Sequence, residues 1–389
     1  MNKTLSAICV ALLCLGLTAQ AQEGKIALIS PVISEIGEVT LMLWAPDANQ
    51  VAVIGSCAKN GGDLMEKDQF GRWIWHSDGP LPSELYYYNF FIDRSLTTDP
   101  RNTYTFRNVD QIYNYFIVGG GKGDYYKAQN VAHGTMSDVW YTSEVLGTQR
   151  RMCIYTPAGY EKGKGKYPVL YLLHGKGGDE HACRDLGRVQ HIMDNMIAEG
   201  KVKPMIVVMT NGNTDRHNAA PGDDEDGQYV PYYCGATDTS FEGHFGDVIK
   251  YVDSHYRTIK SKNGRAIAGL SMGGFHANLI SANYPNTFDY VGLFSPATPP
   301  RYIKADGDYK VAPEMYSNYD KKLEKLFKNG VKLYYLAIGT DDFLYTENAT
   351  FRKQLDSINA DYIYHETPGY HCWEVWRDYL MDFAPLLFH

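Results

Sequence analysis

The sequence predicts an α/β domain built on a mostly parallel sheet, preceded by a smaller all-β sandwich. Three observations predict it. Short alternating runs punctuated by turn residues fill the front of the chain. Nearly continuous apolar runs, alternating with helical periods, fill the rest. Between one such run and one such helix lies a serine flanked by glycines, in RAIAGLSMGGFHA at 265–277.

The chain opens on Lys3, an apolar stretch at 5–17 and the small residues Ala19-Gln20-Ala21. This pattern predicts a signal peptide over 1–21 and export to the periplasm or beyond the cell. Bulky Ile8 and Leu13 precede Cys9 and Cys14, which disfavours a lipoprotein signal. No later run is long and apolar enough for a membrane span. From 22 to 120, EVTLMLWAP, QVAVIGS, GRWIWHSDG and ELYYYNFFID read as short strands of a sandwich. A glycine-rich stretch at 121–130 reads as a linker. From 131 to 389 the strands MCIYTP, YPVLYLLHG, MIVVMTNGN, RAIAGLS, FDYVGLFS, VKLYYLAIG and YIYHETPG alternate with helical patterns. Those helices are expected over 179–199, 241–256, 273–283, 319–328, 347–358 and 373–387. Strands this uniformly apolar suit a parallel sheet covered on both faces.

Composition excludes some functions. Lys plus Arg number 37 against 45 Asp plus Glu, a net charge of −8, with no long basic block. Nucleic acid is therefore not the expected partner. Beyond the leader, Cys57, Cys153, Cys183, Cys234 and Cys372 are an odd and sparse set, which argues against a disulfide framework. His181, Cys183 and His191 lack a zinc spacing, and the acidic run 223–226 lacks a spaced calcium loop, so no metal and no cofactor is expected.

The chemistry centres on Gly269-Leu270-Ser271-Met272-Gly273. A Gly-X-Ser-X-Gly turn between strand and helix holds a serine in a strained backbone, with its hydroxyl projecting from the end of the sheet. Such a serine needs a base and the base needs an orienting acid, in the chain order Ser, acid, His. His371, in a loop after a late strand, is the expected base, and His365, within that strand, is its rival. Asp341 and Asp342 end a buried strand, and only one of them can face the histidine; Asp342 is favoured. Glu347 opens a helix, where a plain N-terminal charge explains it. An oxyanion formed at the serine would be held by the N–H of Met272 and by a second N–H from the loop His174-Gly175-Lys176-Gly177-Gly178. Lys176 is the first choice for that donor and Gly175 the second.

LLHGKGGDE, TNGN, YVDSHYRTIKSKNGRAIAGLSMGG, IGTDDFL and GYHCWEVWRDYLMDFAPLLF together resemble the esterase D-type α/β-hydrolases. More narrowly they resemble bacterial feruloyl and acetyl-xylan esterases of carbohydrate esterase family 1. The likeness runs from about Val131 to the C-terminus. Its Gly-X-X-Asp-X-Leu pattern falls on 339–344 and places the acid on Asp342, and its His-X-Trp pattern falls on His371 and Trp373. It implies an α/β-hydrolase fold and a serine esterase acting on feruloylated or acetylated xylan or xylo-oligosaccharide. LWAPDANQVAVIG and ELYYYNFFIDRSLTTDPRN resemble immunoglobulin-like, family 48-type carbohydrate-binding modules. Trp44, Trp73, Trp75 and Tyr86–Tyr88 are then candidate sugar-stacking faces, against the plainer reading that they are core. Tyr232 and Tyr233, in a long polar loop over 211–235, and Trp373 are candidates to hold an aryl or sugar ring. Acetyl-xylan esterase, enterochelin-type siderophore esterase, acyl transfer to a sugar, and a glycan-binding protein with a relic site are the rival readings.

Overall fold

The computed structural model describes residues 28–212, 241–299 and 313–389. The expected signal peptide, the acidic run 223–226, Tyr232, Tyr233 and Cys234 lie outside the described residues. The chain divides into two units, Met1–Thr105 with Ile112–Asp124, and Phe106–Gln111 with Tyr125–His389.

The first unit is all-β. One sheet runs in the order Val32–Ile33, Val39–Trp44, Arg72–His76, Glu66–Lys67. The other runs Gly62–Leu64, Val51–Gly55, Leu85–Ile92, Gln111–Ile117, Thr105–Asn108, with Ser95–Thr97 also paired to Leu85–Ile92. Side chains alternate along each strand, so one face of each sheet supplies the core. Leu41, Val53, Trp73, Trp75, Tyr86, Tyr88 and Phe90 are buried there. The core therefore claims Trp73, Trp75, Tyr86 and Tyr88, whereas Trp44 is 56% exposed. Both buried indoles have partners: Trp73 Nε1 donates to Ala45 O and Trp75 Nε1 to Asp63.

The second unit is built on eight strands: β1 Thr135–Ser143, β2 Thr148–Thr156, β3 Val169–Leu173, β4 Ile206–Thr210, β5 Arg265–Leu270, β6 Tyr290–Phe294, β7 Leu333–Gly339 and β8 Ile363–Thr367. Their order is β1-β2-β4-β3-β5-β6-β7-β8. β1 and β2 pair antiparallel, β2 joins β4 antiparallel, and every later pairing is parallel. β3 to β7 are buried at every residue, as their apolar runs predict. β1 escaped the sequence reading because it is an edge strand whose apolar residues are interrupted by Ser137 and Asp138 and are mostly not buried.

Helices α1 Val189–Ala198, α2 Phe241–His255, α3 Met272–Asn283, α4 Tyr319–Lys328, α5 Tyr345–Ser357 and α6 Trp373–Phe383 accompany the sheet. The single helix expected over 179–199 is broken into a short turn, Ala182–Asp185, and α1. The break is physical: Arg188 takes a left-handed conformation at φ 54°, and Gly187 lies so close to Cys183 O that a Cβ would sit 2.5 Å from it. The stretch read as a linker contains a 3₁₀ turn, Lys122–Tyr126. Tyr126 is fully buried, and Asn195 Nδ2 donates to the carbonyls of Tyr125 and Lys127.

Candidate active site

β3 and β5 lie side by side with Leu173 opposite Gly269. Both strands end at the same edge of the sheet, so the loops that follow them emerge together. One carries His174-Gly175-Lys176; the other carries Ser271. A Cβ on Gly175 would lie 3.3 Å from Ser271 Cβ.

Ser271 has φ 54° and ψ −116°, a conformation rarely taken by a residue with a side chain. Its surroundings hold it there. Ser271 N–H donates to Phe294 O, and Ser271 O accepts from Phe275 N–H and Ala297 N–H. The turn is tight enough that glycine is required on both sides. A Cβ at Gly269 would sit 2.2 Å from Gly273 O, and one at Gly273 would sit 2.2 Å from Leu173 O. α3 begins at Met272, immediately after the serine, and directs its free N–H groups toward this end of the sheet.

Parallel pairing of β7 and β8 sets Gly339 opposite Thr367. The turns beyond them are stitched by Thr340 N–H to Thr367 O, at 2.8 Å, and Asp341 N–H to Gly369 O, at 3.0 Å. His371 and Asp342 are thereby brought together. His371 Nδ1 lies 2.8 Å from Asp342 Oδ2, and His371 Nε2 lies 2.8 Å from Ser271 Oγ. Asp342 is 4% exposed and accepts Leu344 N–H on its other oxygen at 2.8 Å. Asp341 stays exposed on the turn. His365 stacks on Tyr335 and faces Asp382, away from this relay. Hydroxyl, imidazole and carboxylate in this order can pass a proton from the serine to the histidine while the carboxylate holds the ring.

The glycine loop is pinned from within by His174. Its Nδ1–H donates to Gly175 O at 2.8 Å, and its Nε2 accepts Gly212 N–H at 2.8 Å. That pair of bonds requires the neutral ring, and burial pushes the imidazole pKa down to about 4. Gly178 N–H also donates to Gly175 O. A trans peptide carries its C=O and N–H on opposite sides, so fixing the Gly175 carbonyl turns the Lys176 N–H away from it.

Other neighbours of the histidine went unread in the sequence. Phe343, 72% exposed, has its ring 4.5 Å from that of His371. Trp376 presents an edge to the same ring at 4.9 Å, and Trp373 packs on Trp376 at 5.3 Å. The i, i+3 spacing of the two tryptophans on α6 was the available signal. Glu347, read as a plain N-terminal charge, accepts both N–H and O–H of Thr298 and so fixes the loop after β6. Elsewhere Asp138, Cys153 and His181 place potential ligand atoms within 4.8 Å of one another. His181 already bonds Asp138, and Arg184 lies 3.6 Å from the same carboxylate, so its charge is balanced without a metal.

The esterase family profile matches residues 143–387. The chain belongs to this family. It is 34% identical over 273 residues to an endo-1,4-beta-xylanase/feruloyl esterase of Xylanibacter ruminicola, across 69% of this chain and 36% of that protein. The chain thus spans about a third of that relative's length. A solved ferulic acid esterase superposes with a TM-score of 0.52 at 25% identity, over 65% of this chain and 98% of the other. The enterobactin esterase of Shigella flexneri superposes with a TM-score of 0.60 at 15% identity, over 92% of this chain and 96% of the other. The fold is that of an α/β-hydrolase esterase, and the chain resembles feruloyl esterases.

Proposed function

We propose that the chain releases ferulate or a related hydroxycinnamate from feruloylated arabinoxylan through a serine-bound acyl intermediate. The observation that carries the mechanism is the unbroken relay from Ser271 to His371 to Asp342. The acyl group is inferred from the feruloyl esterase relatives.

In this reading Ser271 Oγ attacks the ester carbonyl as His371 Nε2 takes its proton. Asp342 holds the Nδ1–H and stabilises the imidazolium. The tetrahedral oxyanion lies against the N–H of Met272 and that of Lys176, with Gly175 as the alternative donor. His371 returns the proton to the departing sugar hydroxyl. Water, activated by the same histidine, then attacks the acyl-serine and frees the acid. Phe343 and Trp373 are offered as aromatic neighbours for the acyl ring. Export through the leader at 1–21 completes the proposal.

Ser271→Ala is expected to abolish methyl ferulate hydrolysis without changing the melting temperature. Wild-type turnover by that variant would overturn the mechanism. A panel of methyl ferulate, acetylated xylan and a catecholate trilactone tests the substrate separately. Cleavage of the acetyl or catecholate ester alone would leave the mechanism and reject the feruloyl assignment.

A further inference from the structure

Lys176 lies between two pinned carbonyls. His174 holds Gly175 O from inside the fold, as described above. The other is Gly177 O, which accepts Arg107 Nη1–H at 3.3 Å. Arg107 lies on the strand Thr105–Asn108, whose residues from Phe106 onward group with the second unit, about seventy residues away in sequence. Its Nη2 forms an ion pair with Asp179 Oδ2 at 2.5 Å, with both side chains half-buried. Arg107 Nη1 also donates to Val109 O, which braces the segment itself. One planar guanidinium therefore ties the loop at two points, Gly177 and Asp179, to a stiffened turn.

A second contact sits beside the first. Val109 has φ 56°, an uncommon conformation for a β-branched residue. In that pose its side chain covers Gly177, whose own φ is 81°. A Cβ on Gly177 would fall 2.8 Å from Val109 Cγ2. A strained valine is thus packed against a left-handed glycine at the loop that carries the proposed oxyanion donor. Strain of this kind persists only where neighbouring contacts over-determine it.

We infer that Arg107 is a positioning residue, which holds the 175–179 loop so that its N–H meets the oxyanion. The inference rests on the reading of that loop given under Proposed function. The Arg107–Asp179 pair remains partly open to water, so its contribution to global stability is small. Its effect falls on loop geometry instead, and small misplacements of an oxyanion donor are costly to catalysis.

The test compares Arg107→Gln, Arg107→Lys, Asp179→Asn and the Arg107→Gln/Asp179→Asn double variant with wild type. Rates on methyl ferulate are normalised to active sites titrated with a fluorophosphonate. We expect kcat to fall about 10- to 100-fold in Arg107→Gln, with KM within about twofold and the melting temperature unchanged. Inhibition by an aryl boronic acid, which mimics the tetrahedral state, should weaken by a similar factor, while inhibition by ferulate does not. Arg107→Lys should recover part of kcat, and the double variant should lose no more than the worse single one. Wild-type kcat in Arg107→Gln, or equal weakening of ferulate and boronate, would overturn the inference. A loss of melting temperature with normal kcat per titrated site would also overturn it, by showing a structural role alone. If Ser271→Ala kept its activity, the underlying mechanism would fail instead, so the two failures are distinguishable.

Discussion

Asp342 and Asp341 are adjacent carboxylates in opposite surroundings. Asp342 is buried and spends both oxygens, one on His371 and one on Leu344 N–H. Asp341 is exposed, and it is its backbone N–H that bonds Gly369 O. Asp342→Asn should lower kcat about 10³- to 10⁴-fold, because an amide favours the wrong imidazole tautomer. Asp341→Asn should stay within about twofold of wild type. Steady-state rates of the two variants at fixed pH make the comparison, and equal losses would reject the assignment. The proposed acid, base and nucleophile were legible in the sequence because each follows a recognisable strand. The partners Arg107 and Thr298 were not, because their roles depend on contacts across long sequence separations; Trp376 is local to His371, and only its spacing from Trp373 marked it. His174 was legible as the start of the glycine loop, but its bond to Gly212 was not.

At the scale of elements, the β5–α3 junction shows how a short motif dictates packing. Gly269 and Gly273 bring the strand, the turn and the helix closer than any Cβ permits. The β3 carbonyls abut Gly273, so the elbow and the glycine loop are locked by the same contact. Gly273→Ala would place a methyl group 2.2 Å from a backbone oxygen that cannot rotate away. The expected cost is about 3 kcal/mol, at the upper end for overpacking, together with loss of fluorophosphonate labelling. Chemical denaturation of the variant checks it, and a midpoint equal to wild type would show that the turn can relax. Apolar periodicity located β3 to β7 and most helices, because burial on both faces leaves a simple signature. It missed β1 and the break before α1, where an edge strand and a single left-handed residue leave no such pattern.

At the scale of the whole molecule, pH-dependent stability follows from one buried and one half-buried histidine held in the neutral form. Burial pushes His174 to about 4, and burial with the nearby Arg188 pushes His191 to about 4. In the unfolded chain both return to about 6.5. Between those values the unfolded state binds protons that the folded state refuses, so stability is full above about pH 6.5 and declines toward pH 4. For His174 alone the loss is about 3 kcal/mol, since its protonation also sets a donor against Gly212 N–H. Glu180 works in the opposite sense: burial and Asp179 raise its carboxyl, which favours the fold as acid is added. The Asp179 carboxyl is held low against its burial by Arg107, and its contribution is lost only at lower pH still. Melting temperature should therefore fall progressively from pH 6.5 to pH 4.5. Replacing His191 by Gln should make that decline shallower without moving the melting temperature at pH 8 by more than a few degrees. The same profile in both proteins would place the acid sensitivity outside His191, and a flat wild-type profile would reject the buried-histidine account altogether.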